Sequence, residues 1–194
     1  MDERQWEKRL RISTMGRDAA RSDAYRYPYE PTPYCVLQRL ADSGYLTKDS
    51  VLVDYGCGKG RAGIFLHHVL GCRTVGIEYD PAIYRKAVEN LRTYGKSGVE
   101  FQCIPAEQYL PADADCCYFF NPFSLQLLQT VYGKILESYY GKPRTLRMFF
   151  YYPSEAYTGW LMTRPELQYL DELDCTDLFP GSREKILVME LPGF

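Results

Sequence analysis

Short apolar runs alternate along the chain with stretches in which apolar residues recur every three or four positions. The runs predict strands at residues 51–54, 73–80, 99–106, 114–121, 146–152, about 166–175 and 185–191. The periodic stretches between them, such as the one holding Leu128, Val131 and Ile135, predict helices that pack one face on a sheet. Strands that alternate with helices predict an α/β fold with a doubly wound, mostly parallel sheet.

The end and the beginning of the chain depart from this alternation. The last two predicted strands are separated only by a turn at residues 180–182, so we expect them to pair antiparallel. Residues 1–30 are polar and mixed in charge, and then rich in tyrosine. We therefore predict one domain over residues 31–194, preceded by an N-terminal helical arm over residues 1–30 with a solvated surface.

A glycine-rich turn separates the first strand from the helix that follows it. The run VLVDYGCGKG, Val51–Gly60, has an apolar strand, an aspartate and then three glycines spaced two apart. Glycine tolerates backbone angles that a Cβ forbids, and it lets the main chain approach a ligand at a helix N-terminus. The pattern predicts a ligand above this turn. Lys59 and Arg61 beside the third glycine are expected to be solvated or to favour an anionic substrate.

Composition narrows the class of protein. The chain has 194 residues and a net charge of −2, which gives no general attraction for nucleic acid. Its first ten residues contain no apolar core of a signal peptide, and no apolar run approaches the ~20 residues that span a bilayer. Its seven cysteines include no C-x-x-C pair, which argues against a disulfide framework and a zinc ribbon. We expect a cytoplasmic protein with no metal and no membrane contact.

The combined pattern resembles a known family. A D-x-G-C-G-x-G turn at Asp54–Gly60, an acid at Glu78 after the second strand, seven strands and a terminal hairpin are similar to the class I (Rossmann-like) S-adenosylmethionine-dependent methyltransferases. The resemblance covers about residues 30–194. It implies a seven-stranded sheet with an antiparallel last strand and S-adenosyl-L-methionine as the cofactor.

The resemblance also implies roles for individual residues. The turn would hold the methionine end of the cofactor through backbone donors, and Asp54 would lie near its amino group. Glu78 would accept hydrogen bonds from the ribose hydroxyls, although a solvent-facing acid at a strand end is the alternative. Tyr79 would pack on the adenine. The turn residues assigned to the cofactor are Gly56, Cys57, Gly58 and Gly60.

The chain departs from the family after the third strand. The family usually has an acid there that reads the adenine amino group, and this chain has Pro105. Either Glu107 replaces that acid or the backbone around Ala106 contacts the adenine.

A second stretch bears on the methyl acceptor. Asn121–Pro122–Phe123 follows the fourth strand and resembles, with one proline fewer, the NPPY-like motif of methyltransferases that act on amino nitrogens. There the polar side chain and the proline carbonyl orient the amine, and the aromatic ring packs on a planar substrate. A plain Asn-Pro turn is the alternative. The acceptor class stays open among a nucleobase, a protein side chain and a small amine.

The sequence around Thr32 is compatible with two roles. Some amino methyltransferases carry a Thr-Pro before the glycine turn that contacts the methionine moiety, and Thr32–Pro33 fits that position. The alternative is a helix cap at Thr32 with Pro33 as the first helical residue. The neighbouring tyrosines Tyr29 and Tyr34 are candidates for closing the same pocket. Candidates for its substrate wall, with aromatic core packing as the alternative, are Tyr151, Tyr152 and Trp160.

Two other functions fit part of the pattern. Gly58, Gly60 and Gly63 also match the G-x-G-x-x-G of an NAD(P)-binding oxidoreductase, with Glu78 downstream. A non-catalytic cofactor-binding protein could keep the same fold. The aspartate before the turn, the Asn-Pro-Phe stretch and the hairpin favour the methyl donor.

Overall fold

A computed structural model of the chain describes residues 1–17 and 25–193. The strands are β1 Val51–Tyr55, β2 Arg73–Glu78, β3 Val99–Cys103, β4 Cys116–Phe119, β5 Leu146–Tyr151, β6 Gln168–Asp174 and β7 Lys185–Leu191. The helices are α1 Glu3–Leu10, α2 Tyr34–Asp42, α3 Arg61–Leu70, α4 Pro81–Tyr94, α5 Leu125–Gly141 and α6 Glu155–Leu161.

The seven strands form one sheet in the order β3-β2-β1-β4-β5-β7-β6. β7 runs antiparallel to both of its neighbours, and the pairs among β1 to β5 are parallel. This confirms the predicted doubly wound sheet with an antiparallel last strand. The strand order reverses at β1, so the turns after β1, β2 and β4 meet at one edge, where ligands of such sheets bind.

Helices cover both faces of the sheet, and β4 shows this directly. Cys116 and Tyr118 belong to the core beneath α1, α2 and α3, whereas Cys117 and Phe119 belong to the core beneath α5. All four side chains are at most 1% exposed. The continuous apolar run of this strand follows from burial on both faces, as expected of a central parallel strand.

Some predicted element boundaries were wrong, and the causes are local. β2 ends at Glu78 because the Asp80 side chain turns to accept hydrogen bonds from the first backbone N–H groups of α4. β4 ends before Asn121, whose φ of 38° is outside the strand region. α2 begins at Tyr34 with Pro33 as its N-cap and no side-chain cap, so Thr32 does not cap it. The Thr32 hydroxyl instead lies 2.9 Å from the Tyr118 hydroxyl.

The described part of the N-terminal arm packs on the domain. Trp6 of α1 meets Phe65 of α3 edge-on, with ring centroids 4.8 Å apart, and stacks on Tyr34. Glu7 and Leu10 are buried, so the expected solvated helix is wrong for this face. The basic side chains of α1 lie on its exposed face, at Arg4, Lys8 and Arg9.

Within residues 1–17 and 25–193, no helix is both long and apolar enough to cross a bilayer.

Candidate functional site

A cavity of about 670 Å³ opens at the carboxyl edge of the sheet, between the strand ends and residues 26–33. Most residues assigned to the site from sequence line it: Thr32, Asp54, Gly56, Cys57, Glu78, Tyr79, Ala106, Asn121, Pro122 and Phe123. Three assigned residues do not belong to the lining: Gly58, Gly60 and Glu107. Parallel strands ending at one edge therefore bring most of the predicted residues together.

The first part of the glycine turn forms one wall of the cavity. Gly56 has a φ of +75°, and a Cβ there would lie 2.5 Å from the Cβ of Pro122. The backbone N–H groups of Gly56 and Cys57 donate to the Ile77 carbonyl at 2.9 and 3.0 Å. The Cys57 thiol is buried, and burial raises its pKa well above the usual value. This wall is a preformed backbone surface that tolerates no larger residue at Gly56.

The rest of the turn is covered by aromatic rings. The Tyr29 ring lies against Gly58, and the Phe101 ring lies against Gly60, where a Cβ would overlap each ring. Both glycines have positive φ. Close packing of protein groups, as well as ligand approach, thus explains why glycine stands at these positions.

Two carboxyl groups flank the turn, of which Asp54 is buried and Glu78 is half-buried. Asp54 is 4% exposed, and burial, with the nearby charge of Glu78, raises its pKa to about 7. Glu78 accepts hydrogen bonds from the backbone of Gly58 at 3.0 Å and of Asp80 at 2.8 Å. These bonds oppose the rise in the Glu78 pKa that burial causes. Two such carboxyls at one end of a cavity favour a cationic ligand.

Asp80 is a candidate that the sequence analysis missed. Its Oδ1 caps α4, at 2.6 Å from the backbone nitrogen of Ala82. Its Oδ2 is buried and has no hydrogen-bond partner within the described residues, and the residue lines the cavity. This oxygen is therefore available to accept a hydrogen bond from a ligand in the cavity.

The Asn-Pro-Phe stretch is engaged in contacts within the protein. The Asn121 side chain donates to the Tyr152 carbonyl and accepts from the Ser154 backbone at 3.2 Å. The Pro122 carbonyl accepts from the Tyr27 backbone at 3.2 Å. The Phe123 side chain is 3% exposed. The Asn121 oxygen keeps a second lone pair for a ligand, whereas the Phe123 ring offers little surface to a planar substrate.

The far wall of the cavity is aromatic and acidic. Tyr151 and Tyr152 line it as expected, and the Tyr151 hydroxyl donates to the carboxylate of Glu184, which precedes β7 and was not foreseen. Trp160 follows the alternative of core packing, since its ring packs edge-on against Tyr132, with centroids 5.2 Å apart. Tyr34, a candidate for closing the pocket beside Thr32, does not line the cavity because it is buried among α1, α2 and α3.

Arg61 and Lys59 are not solvated. Arg61 is 3% exposed and pairs with Glu3 and Glu7 of α1. Lys59 is 8% exposed, and its ammonium lies 4.7 Å from the Tyr29 ring centroid. Both cations therefore tie the N-terminal arm to the glycine turn.

Across residues 1–17 and 25–193, no group of three or more His, Cys, Asp and Glu side chains has a geometry suited to a metal ion.

Comparison with known proteins gives partial matches. No protein-family model matches the chain. A protein-lysine N-methyltransferase of Saccharolobus islandicus is 32% identical over 72 residues, which are 37% of this chain and 45% of that protein. A ribosomal protein L11 methyltransferase of Aeromonas salmonicida is 29% identical over 121 residues, 57% of this chain and 41% of that protein. The chain thus spans less than half the length of each curated relative.

A solved structure matches over most of both chains. The RNA methyltransferase of Salinibacter ruber, in complex with S-adenosyl-L-homocysteine, has a TM-score of 0.61 at 22% identity and covers 84% of this chain and 94% of its own. Both relatives and this structure are named methyltransferases, and the chain has the fold of the solved structure.

Proposed function

We propose that the protein is an S-adenosylmethionine-dependent methyltransferase. The observation that carries the proposal is the pair of carboxyl groups beside the turn at Gly56, the buried Asp54 and the half-buried Glu78. The methyl donor brings a sulfonium and an ammonium, which these groups stabilise. A dinucleotide would bring a pyrophosphate with two negative charges to the same place. The methyltransferases among the relatives support the same choice.

The cavity offers complementary groups for each part of this cofactor. Asp54 would bind its ammonium, Glu78 its ribose hydroxyls, and Tyr79 and Ala106 its adenine. The backbone donors of the turn are already used within the protein, since Gly58 donates to Glu78 and Gly60 to Cys57. The carboxylate of the cofactor would instead meet the first turn of α3, where Arg61 and Ala62 line the cavity and helix N–H groups lack intrahelical partners.

Binding of S-adenosylhomocysteine tests the cofactor. We expect isothermal titration calorimetry to show binding of this compound and none of NAD. Glu78→Ala should weaken binding by about 1.5–3 kcal/mol because it removes a charged acceptor. The control Glu100→Ala changes an exposed acid of β3 and should leave affinity unchanged. Binding of NAD in place of S-adenosylhomocysteine would contradict the proposal.

For the acceptor, we propose an amino nitrogen of a protein side chain. The bound cofactor supplies an electrophilic methyl group on its sulfonium. The Glu184 carboxylate in the cavity would attract the acceptor as an ammonium. After the ammonium has lost a proton to solvent, Asn121 would accept a hydrogen bond from the neutral amine and orient its lone pair toward the methyl group. Both curated relatives are named for protein substrates, which also favours this class over a nucleobase.

Substitution of Asn121 tests how the amine is oriented. Asn121→Ala and Asn121→Gly should each lower methyl transfer by about 10- to 100-fold with little change in S-adenosylhomocysteine affinity. The glycine variant is the matched control because it accepts the positive φ of this position without strain. The measurement is transfer of a labelled methyl group to extract fractions treated with protease or nuclease. Unchanged transfer in both variants would exclude this role, and label lost to nuclease alone would identify a nucleic-acid acceptor.

A further inference from the structure

Residues 25–30, which we call the tyrosine segment, run across the mouth of the cavity. The Ser124 backbone donates to the Tyr25 carbonyl at 2.7 Å, and the Tyr27 backbone donates to the Pro122 carbonyl at 3.2 Å. Arg26 forms an antiparallel bridge with Phe123 between these two bonds. The segment is therefore held by backbone pairing to the chain that leaves β4.

Arg26 connects this segment to the ends of two other strands. Its guanidinium pairs with the Glu107 carboxylate at 2.7 Å, and the two side chains are only 19% and 27% exposed. The same guanidinium lies 4.1 Å from the centroid of the Tyr79 ring. Tyr79 follows β2 and Glu107 follows β3, so one side chain spans the region assigned to the adenine. Glu107 therefore binds Arg26 of the tyrosine segment, whereas the neighbouring Ala106 lines the cavity.

The other end of the segment rests on the glycine turn. The Tyr29 ring lies against Gly58, and its hydroxyl donates to the Thr14 carbonyl at 2.6 Å. With the segment in this position the cavity still measures about 670 Å³, within the range of small-molecule sites. The segment is thus a wall of the site, and it leaves room for a ligand of cofactor size.

We propose that the tyrosine segment closes the nucleoside half of the cofactor site and that Arg26 is its positioning residue. By pairing with Glu107 and packing on Tyr79, Arg26 holds the wall against the bound cofactor and sets the rate at which the cofactor leaves. Release requires this partly buried ion pair to separate, and charge-assisted hydrogen bonds are among the stronger contacts a protein can break. The inference rests on the proposed methyltransferase function.

The experiment measures the dissociation rate of S-adenosylhomocysteine from the full chain by stopped-flow displacement. Arg26→Ala should raise this rate by about tenfold, and Arg26→Lys should raise it less because lysine keeps the charge. Glu107→Ala should also raise the rate, and the double variant should fall short of the sum of the two single effects, because both substitutions remove the Arg26–Glu107 ion pair. The matched control is Lys142→Ala, which breaks an exposed pair with Asp113 outside the cavity lining and should leave the rate unchanged.

The outcomes separate this inference from the function on which it rests. Unchanged dissociation in Arg26→Ala, with normal binding by the wild-type protein, would overturn the role of Arg26 and leave the methyltransferase proposal standing. Additive effects of Arg26→Ala and Glu107→Ala would overturn the pairing. Absence of S-adenosylhomocysteine binding in the wild-type protein would overturn both proposals. An unchanged melting temperature without ligand, together with faster release, would support a role in cofactor retention.

Discussion

Replacing Arg61 with alanine is expected to lower the free energy of unfolding by about 3–5 kcal/mol. Arg61 is buried and contacts Glu3, Glu7 and the carbonyl of Thr32. Its removal leaves the Glu7 carboxylate, in a residue only 8% exposed, without its cation. A buried charge that loses its partner costs far more than an exposed pair, whose loss costs about 0–1 kcal/mol.

Urea denaturation of the wild type and the variant measures this loss. Arg4→Ala is the matched control because it removes an exposed arginine from α1, and we expect a change within about 0.5 kcal/mol. Arg61→Lys keeps the charge but not the planar set of donors, so it should fall between the two. A loss below about 1 kcal/mol in Arg61→Ala would show that α1 is held by Trp6 and its aromatic neighbours alone.

The Arg61 network shows what the sequence could not reveal. The sequence pattern predicted β7 at its observed bounds, because a strand pattern depends on neighbouring residues. The partners of Arg61 lie 54 and 58 residues earlier in the chain, and no local pattern encodes such a pairing. The sequence analysis therefore expected Arg61 to be solvated or to favour an anionic substrate, whereas the fold buries it against Glu3 and Glu7.

The candidate site likewise has features that were predictable from the sequence and features that were not. The positions of Asp54, Glu78 and Asn121 at the cavity were predictable because each lies near the carboxyl end of a parallel strand, and these ends share an edge of the sheet. Two other contacts of the site depend on how the N-terminal arm folds back. The Tyr29 ring packs against Gly58, and the Pro122 carbonyl accepts a hydrogen bond from the Tyr27 backbone. Contacts of that kind follow from tertiary packing and produce no periodic pattern in the sequence.

Replacing Asp54 with asparagine is expected to stabilise the ligand-free protein while weakening cofactor binding. Burial raises the pKa of Asp54 from 3.8 to about 7. Between these values the folded state holds the proton more tightly than the unfolded state, so the contribution of Asp54 to stability is full below about pH 4 and lost as pH rises through about 7. Asparagine stays neutral, so the variant should gain on the order of 2 kcal/mol over the wild type above pH 7.

Thermal unfolding and calorimetry from pH 5 to pH 8.5 separate the two effects. The wild type should bind S-adenosylhomocysteine less tightly as pH falls below about 7, because the ammonium of the ligand needs the Asp54 carboxylate. Asp54→Asn should bind weakly with little dependence on pH, and Asp49→Asn, at an exposed position, should behave as wild type. Since the cation lowers the pKa of Asp54, binding near pH 7 should release a proton and make the enthalpy depend on the buffer. An enthalpy independent of the buffer would place the ammonium elsewhere and leave the buried charge of Asp54 without a function in binding.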